Sequence, residues 1–291
     1  MSRPVIQLLV TDLDNTLYDW VGFFAKAFRA MVDEAVSILG VERERLLDDL
    51  KLVHEHHHDS ERPWSLLETR AVMERLAGYD YDARKAQLEP AFHAFNSARK
   101  RYLRLYDGVA ETLAMIRASG VPIVAHTEAS TVNALFRVKR LGLTESIGRV
   151  YAADAGDGVE SDDVELVAIP REIHKPDPRI LLEICNEYGV APQRTLYVGD
   201  SISRDIAMAQ QISMHAAWAA YGTRHDRHDW ATLVRVSHWT QADVDRVRHT
   251  QERFGDVKPK TCLESFGELP AHFEFRGFAP AATSSIAGCG G

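Results

Sequence analysis

Near the start of the chain, Val5-Ile6-Gln7-Leu8-Leu9-Val10 constrains the fold more than any other segment. It is β-branched and almost wholly apolar, the composition of a strand buried on both faces, and such strands belong to parallel sheets covered by helices. Open sheets of this kind bind ligands beyond the C-terminal ends of their strands. The residues delivered to that end here are Asp12-Leu13-Asp14-Asn15-Thr16.

From about Trp20 to Tyr106 the pattern is helical. Val21, Phe24, Phe28, Met31 and Val32 recur at helical spacing, with Gly40 as the C-terminal cap. Further helices are expected over Arg43 to about His54, Pro63 to about Ala77 and Asp82 to about Leu105, so the segment reads as an all-helical insertion. After Asp107-Gly108 strands and helices alternate. The strands are Val121 to Ala125, Val150 to Ala153, Thr195 to Val198 and Met214 to Ala219; the helices are Val109 to Ser119, Thr131 to Leu141 and Pro178 to Tyr188. Asp154 to Asp163 reads as a solvated acidic loop, Thr240-Gln241-Ala242-Asp243 as a capping box, and Leu263 to Leu269 as a segment that packs back on the core. Ala279 to Gly291, rich in Ala, Gly and Ser, reads as a tail. The fold class is therefore α/β: a three-layer α/β/α, Rossmann-like core with a mainly parallel sheet, plus an all-helical cap. Residues 1–17 and 108–278 form the core in this division and 18–107 the cap.

The net charge of −8 supplies no basic field of the kind that draws a protein to nucleic acid or anionic lipid, so a small molecule is the expected partner. Cys185, Cys262 and Cys289 include no CxxC pair and read as free thiols of a reducing compartment. The opening apolar stretch is too brief for a signal-peptide core, and no run reaches the roughly 20 apolar residues of a spanning helix. A cytoplasmic location is expected.

Four short motifs can carry chemistry. Asp12 and Asp14, one residue apart after a buried strand, can face the same way, one to attack and one to move protons, although paired aspartates are also common in turns. Thr127, after the next strand, offers a hydroxyl to a phosphoryl oxygen or caps a helix. Lys175, in His174-Lys175-Pro176-Asp177-Pro178, can offset carboxylate and phosphate charge or simply be solvated. Gly199-Asp200-Ser201 follows another strand, with Asp205 five residues beyond Asp200; its carboxylates are hard oxygen ligands or helix caps.

Taken in order at the ends of four strands of one sheet, these motifs resemble those of the haloacid dehalogenase-like superfamily, over about Val5 to Ala219, and the insertion resembles its helical cap. The resemblance implies a phosphatase acting on a small phosphomonoester with Mg2+. Asp12 would become a phosphoaspartate, Asp14 would protonate the leaving group and then activate water, and Thr127 and Lys175 would hold phosphoryl oxygens. The metal would sit on Asp12, the backbone carbonyl of Asp14 and Asp200, with Asp205 on a metal-bound water or orienting Lys175. Glu128 departs from the small or amide residue usual after the hydroxyl. A phosphomutase, a 2-haloacid dehalogenase and a non-catalytic binding protein are the alternatives.

The stretch His54-Glu55-His56-His57-His58-Asp59, with Arg62 and Trp64, has the least ordinary composition of the insertion. Read as a loop between two helices, it is the candidate contact for the leaving group. A zinc site there is disfavoured, because three consecutive histidines cannot face one point.

Overall fold

The computed structural model describes residues 2–62, 64–154, 156, 158–170, 172–238, 245, 249–250 and 252–277. Its strands are β1 (Val5–Ile6), β2 (Leu8–Thr11), β3 (Ile123–Ser130), β4 (Arg149–Ala153), β5 (Glu165–Ile169), β6 (Thr195–Gly199), β7 (His215–Ala219), β8 (Thr261–Leu263) and β9 (Glu274–Phe275). Seven of them form one sheet in the order β5-β4-β3-β2-β6-β7-β8, and every neighbouring pair is parallel. The first strand expected from sequence is in fact two. Gln7, between them, donates its N–H to Arg194 O at 2.8 Å; β2 lies in the main sheet beside β6, whereas β1 pairs in parallel with β9 near the other end of the chain.

Alternation along β2 explains the layers. Leu9 faces a core that includes Val109, Leu113 and Ile116 of the helix Val109–Ala118, whereas Leu8 and Val10 face Ile180, Leu181 and Ile184 of the helix Arg179–Tyr188 on the opposite side. Strands buried on both faces are nearly all apolar, and β2 is buried at all its positions and apolar at all but Thr11. The outer strands β5 and β8 have no counterpart in the sequence reading: β8 is only three residues long, and β5, at the sheet edge after the acidic loop, opens on a charged residue and is largely unburied. Leu263, Phe266 and Leu269 do pack into the core.

Among the described residues the α-helices are α1 (Trp20–Leu39), α2 (Arg43–His57), α3 (Arg70–Arg75), α4 (Tyr81–Gln87), α5 (Glu89–Tyr102), α6 (Val109–Ala118), α7 (Thr131–Arg140), α8 (Arg179–Tyr188), α9 (Ala207–Gln211), α10 (Arg227–Val236) and α11 (Leu269–His272). Asp19 caps α1 by accepting from Gly22 N, and Gly40 ends it at φ 60°, the stop expected from sequence. Two expected helices are broken. Pro90 in the first turn of α5 separates it from α4, and Thr69, whose side chain accepts from Val72 N, caps the short α3 after a 3-10 turn at Ser65–Glu68. Helix α2 runs on to His57, so the histidine-rich stretch is mostly helix and not loop.

Helix α10 follows β7 in sequence but packs on the insertion. Asp229 is buried and paired with Lys26 and with Arg29 at 2.6 Å, both on α1, and Arg235 is paired with Glu44 and Asp48 of α2. Among the described residues no helix is long and apolar enough to cross a membrane. The capping box at 240–243, the tail at 279–291, Pro63 and Cys289 lie outside the described residues. Cys185 and Cys262 are free thiols, as expected.

Candidate active site

Parallel register brings the motifs to one edge. Thr11 lies opposite Ala125 of β3 on one side and Val198 of β6 on the other, so the residues that follow each strand emerge side by side. Asp12 N–H donates to Val198 O at 2.8 Å, tying the first motif to the fourth through the backbone. Asn15 turns the chain at φ 56°, a left-handed conformation that asparagine tolerates better than most residues.

The Lys175 ammonium, itself buried, lies 3.0 Å from Asp12 Oδ2 and 2.9 Å from Asp205 Oδ1. Leu13 N–H donates to Asp12 Oδ1 at 2.8 Å, which fixes the other carboxylate oxygen. Asp205 sits in a single π turn, Ile202–Ile206, and also accepts from Ser201 N–H at 2.9 Å and Tyr197 OH at 3.3 Å. Single π turns are frequent at functional sites. Gly199 is required beneath it, because a Cβ there would stand 2.5 Å from the Asp205 carboxyl. Trp218 Nε1–H donates to Asp200 O at 2.8 Å and holds the loop from the far side.

Asp12, Asp200 and Asp205 each offer a carboxylate oxygen within 4.8 Å of the others, the one such acidic or histidine cluster among the described residues. Three carboxylates face one ammonium there. Burial pushes Asp12 up, and Asp205, Asp200 and Asp14 add to the push against Lys175. Burial and Asp205 push Asp200 up to about 7. Carboxylates this crowded fit a hard divalent cation, which would relieve both effects. Since Asp205 is already engaged by Lys175, Ser201 and Tyr197, Asp12 and Asp200 are the freer of the three.

The Asp14 carboxylate points elsewhere. Arg137 Nη1 lies 2.9 Å from both of its oxygens, and Tyr18 OH donates to Oδ1 at 2.6 Å. Burial raises the Asp14 carboxyl above the usual range, while Arg137 and Tyr18 pull against the rise. Thr127 is buried within β3, which runs five residues past its expected end, and its Oγ1 accepts from Ala129 N–H at 3.1 Å. Glu128 turns to Arg204 at 2.5 Å and accepts Lys175 N–H at 3.2 Å. Burial opposes its charge, yet Arg204, His174 and Lys175 hold it well below the usual carboxylate range. Glu128 thus braces the Lys175 loop.

The histidine-rich stretch does not gather into a site. His54 is fully buried. Its Nδ1–H donates to Val236 O at 2.6 Å, Nε2 accepts from Ser65 Oγ at 3.2 Å, and the ring meets Phe28 edge-on. His57 and Arg62 both contact Glu68, and Trp64 packs on Phe92 beneath Lys85. The residue of this region that reaches the site is Glu61, which pairs with Arg137. Sequence reasoning singled out neither. Arg137 has exposed basic neighbours in Lys139 and Arg140, and nothing in its spacing sets it apart.

Comparison with known proteins agrees with this geometry. A sequence profile of the haloacid dehalogenase-like hydrolases matches residues 6–212. A glyceraldehyde 3-phosphate phosphatase of Methanopyrus kandleri is 26% identical over 214 residues, 72% of this chain and 82% of the relative. A phosphoglycolate phosphatase of Chromobacterium violaceum is 26% identical over 232 residues, 76% of this chain and 88% of the relative. Among solved structures, a phosphatase of the same superfamily from Thermococcus onnurineus matches with a TM-score of 0.53 at 17% identity, covering 94% of this chain and all (100%) of that one. A 2-haloacid dehalogenase from Pseudomonas syringae matches at 0.52 and 24%, covering 91% and 97%; both likenesses concern the fold. With the profile spanning well over half of the chain, and its motifs meeting at one sheet edge, the protein belongs to the haloacid dehalogenase-like hydrolases.

Proposed function

We propose that this hydrolase is a phosphatase of small phosphomonoesters that works through a phosphoaspartate on Asp12 and uses Mg2+. The observation that carries the reading is the Asp12–Lys175–Asp205 chain beside Asp200, with a second carboxyl, Asp14, two residues beyond the nucleophile. Asp12, the backbone carbonyl of Asp14 and Asp200 would hold the metal, with Asp205 supporting Lys175. When bound, the ion neutralises carboxylate and phosphate charge.

In the first step an Asp12 oxygen bonds to phosphorus as the bond from phosphorus to the ester oxygen breaks. A proton passes from the Asp14 carboxyl to the departing oxygen. Lys175 and Thr127 hold phosphoryl oxygens, a fixed polar environment that needs no rearrangement during reaction. In the second step a water oxygen bonds to phosphorus, its proton returns to Asp14, and the bond to Asp12 breaks to release inorganic phosphate. The helical insertion, residues 18–107 in this reading, would cover the site and face the leaving group.

The relatives act on phosphoglycolate and glyceraldehyde 3-phosphate by name, which makes short phosphorylated acids and aldehydes the first esters to try. The test is phosphate release from a metabolite panel with magnesium and no bisphosphate primer. Release from at least one ester is expected. Absence of release from every ester, with transfer to a sugar phosphate once a primer is added, identifies a mutase instead.

A further inference from the structure

Arg137 heads the largest fully buried side chains among the described residues, and a buried guanidinium persists only where its charge is matched. Its partners come from three separate parts of the chain. Asp14, after β2, takes Nη1 at 2.9 Å on each oxygen; Glu61, between α2 and the turn at Ser65–Glu68, takes Nη2; and the Phe23 ring of α1 lies 5.4 Å from the guanidinium carbon. Arg137 itself stands on α7, in the core.

Tyr18 alone would hold Asp14 by a single bond to Oδ1, leaving the carboxyl free to turn about it. Adding one nitrogen that reaches both oxygens fixes the direction of the group as well as its position. The hold on Arg137 comes in turn from Glu61, which belongs to the helical insertion, so any shift of that segment acts on Asp14 through one intervening side chain.

Building on the role of Asp14 as the proton carrier in the reading above, we propose that Arg137 is the positioning residue of that carboxyl, and that Glu61 makes its placement depend on how the insertion is seated. A proton must travel along a defined line to the leaving oxygen, and small misplacements are expensive in rate. The effect should fall on esters whose leaving group needs the proton. Aryl esters lose an acidic phenol without it, so their first step should be spared; the later attack of water, which also uses Asp14, is common to both esters.

The experiment compares kcat and KM for an alkyl phosphate and 4-nitrophenyl phosphate in the wild type, Glu61→Gln and Arg137→Lys, with folding checked by circular dichroism. Both variants are expected to lower kcat/KM for the alkyl ester by about ten- to a hundredfold, a loss within the usual worth of general acid catalysis, while kcat/KM for the aryl ester, which covers only the steps up to loss of the phenol, stays within about threefold. A variant that partly unfolds lowers both rates by the same factor. Equal losses on the two esters in a variant whose circular dichroism matches the wild type, or no loss on either ester, overturn the proposal. Should Arg137→Lys fail to fold, Glu61→Gln decides alone, since it leaves the Arg137 and Asp14 side chains themselves unaltered. A wild-type protein inert towards both esters overturns the phosphatase reading itself, and the proposal with it.

Discussion

The Lys175 ammonium lies 3.0 Å from Asp12 Oδ2, joining the loop before α8 to the end of β2 across the face of the sheet. The pair is buried, so neither charge has water to fall back on. Lys175→Met should lower kcat by about a hundred- to a thousandfold, the usual loss when one fixed charge-stabilising donor is removed. Asp12 and Asp205 then face one another uncompensated, and the urea midpoint should fall as well. A variant with near-normal turnover and midpoint would show that the ammonium serves neither purpose.

Magnesium should raise the thermal midpoint of the wild type, because three crowded carboxylates gain more from a dication in the folded chain than in the unfolded one. Asp200→Asn should remove most of that rise along with activity. An equal rise in the variant places the ion elsewhere.

Asp12→Asn should abolish turnover outright, since an amide oxygen does not form the acyl phosphate. Mass spectrometry after rapid quenching should show the wild type one phosphoryl group heavier and the variant unchanged. A phosphorylated Asp12→Asn chain points to a different nucleophile.

Gly199→Ala should destabilise by about 1–3 kcal/mol, as small-to-large changes in a tightly packed place usually do. The new Cβ would meet an Asp205 carboxyl that cannot swing aside, being held by Lys175, Ser201 and Tyr197. A midpoint equal to that of the wild type in urea would contradict the packing seen at this turn.

His54 sets part of the acid stability. Burial depresses its imidazole from 6.5 to about 4, so the unfolded chain takes up a proton at a higher pH than the folded one. The stability it contributes is therefore complete above about pH 6.5 and is lost as pH falls towards 4, at up to about 1.4 kcal/mol per pH unit. His126, depressed by burial to about 3, acts in the same sense. His54→Gln should flatten the pH dependence of the urea midpoint between pH 6.5 and 4 by roughly half of the two-histidine effect. An unchanged slope would mean that His54 titrates normally in the folded protein.

The chain's local chemistry determined the parts of this protein that depend on neighbours in sequence. An apolar run interrupted only at Gln7 announces buried strand, Gly40 marks the end of α1, and each of Asp12, Thr127 and Asp200 sits just beyond or within a strand whose pattern is legible. The family's motifs are short for the same reason: each is a strand end and the turn after it. Contacts between distant segments left no such trace. Only tertiary packing turned His54 into a core histidine beneath Val236, divided the first strand so that β1 could pair with β9, and set α10 against the insertion. It also buried Arg137 between Asp14 and Glu61, residues 123 positions before it and 76 positions before it. A helix pattern shows which face is apolar, but the acid that meets a buried arginine is chosen by the crossing of elements, which periodicity within one element does not encode.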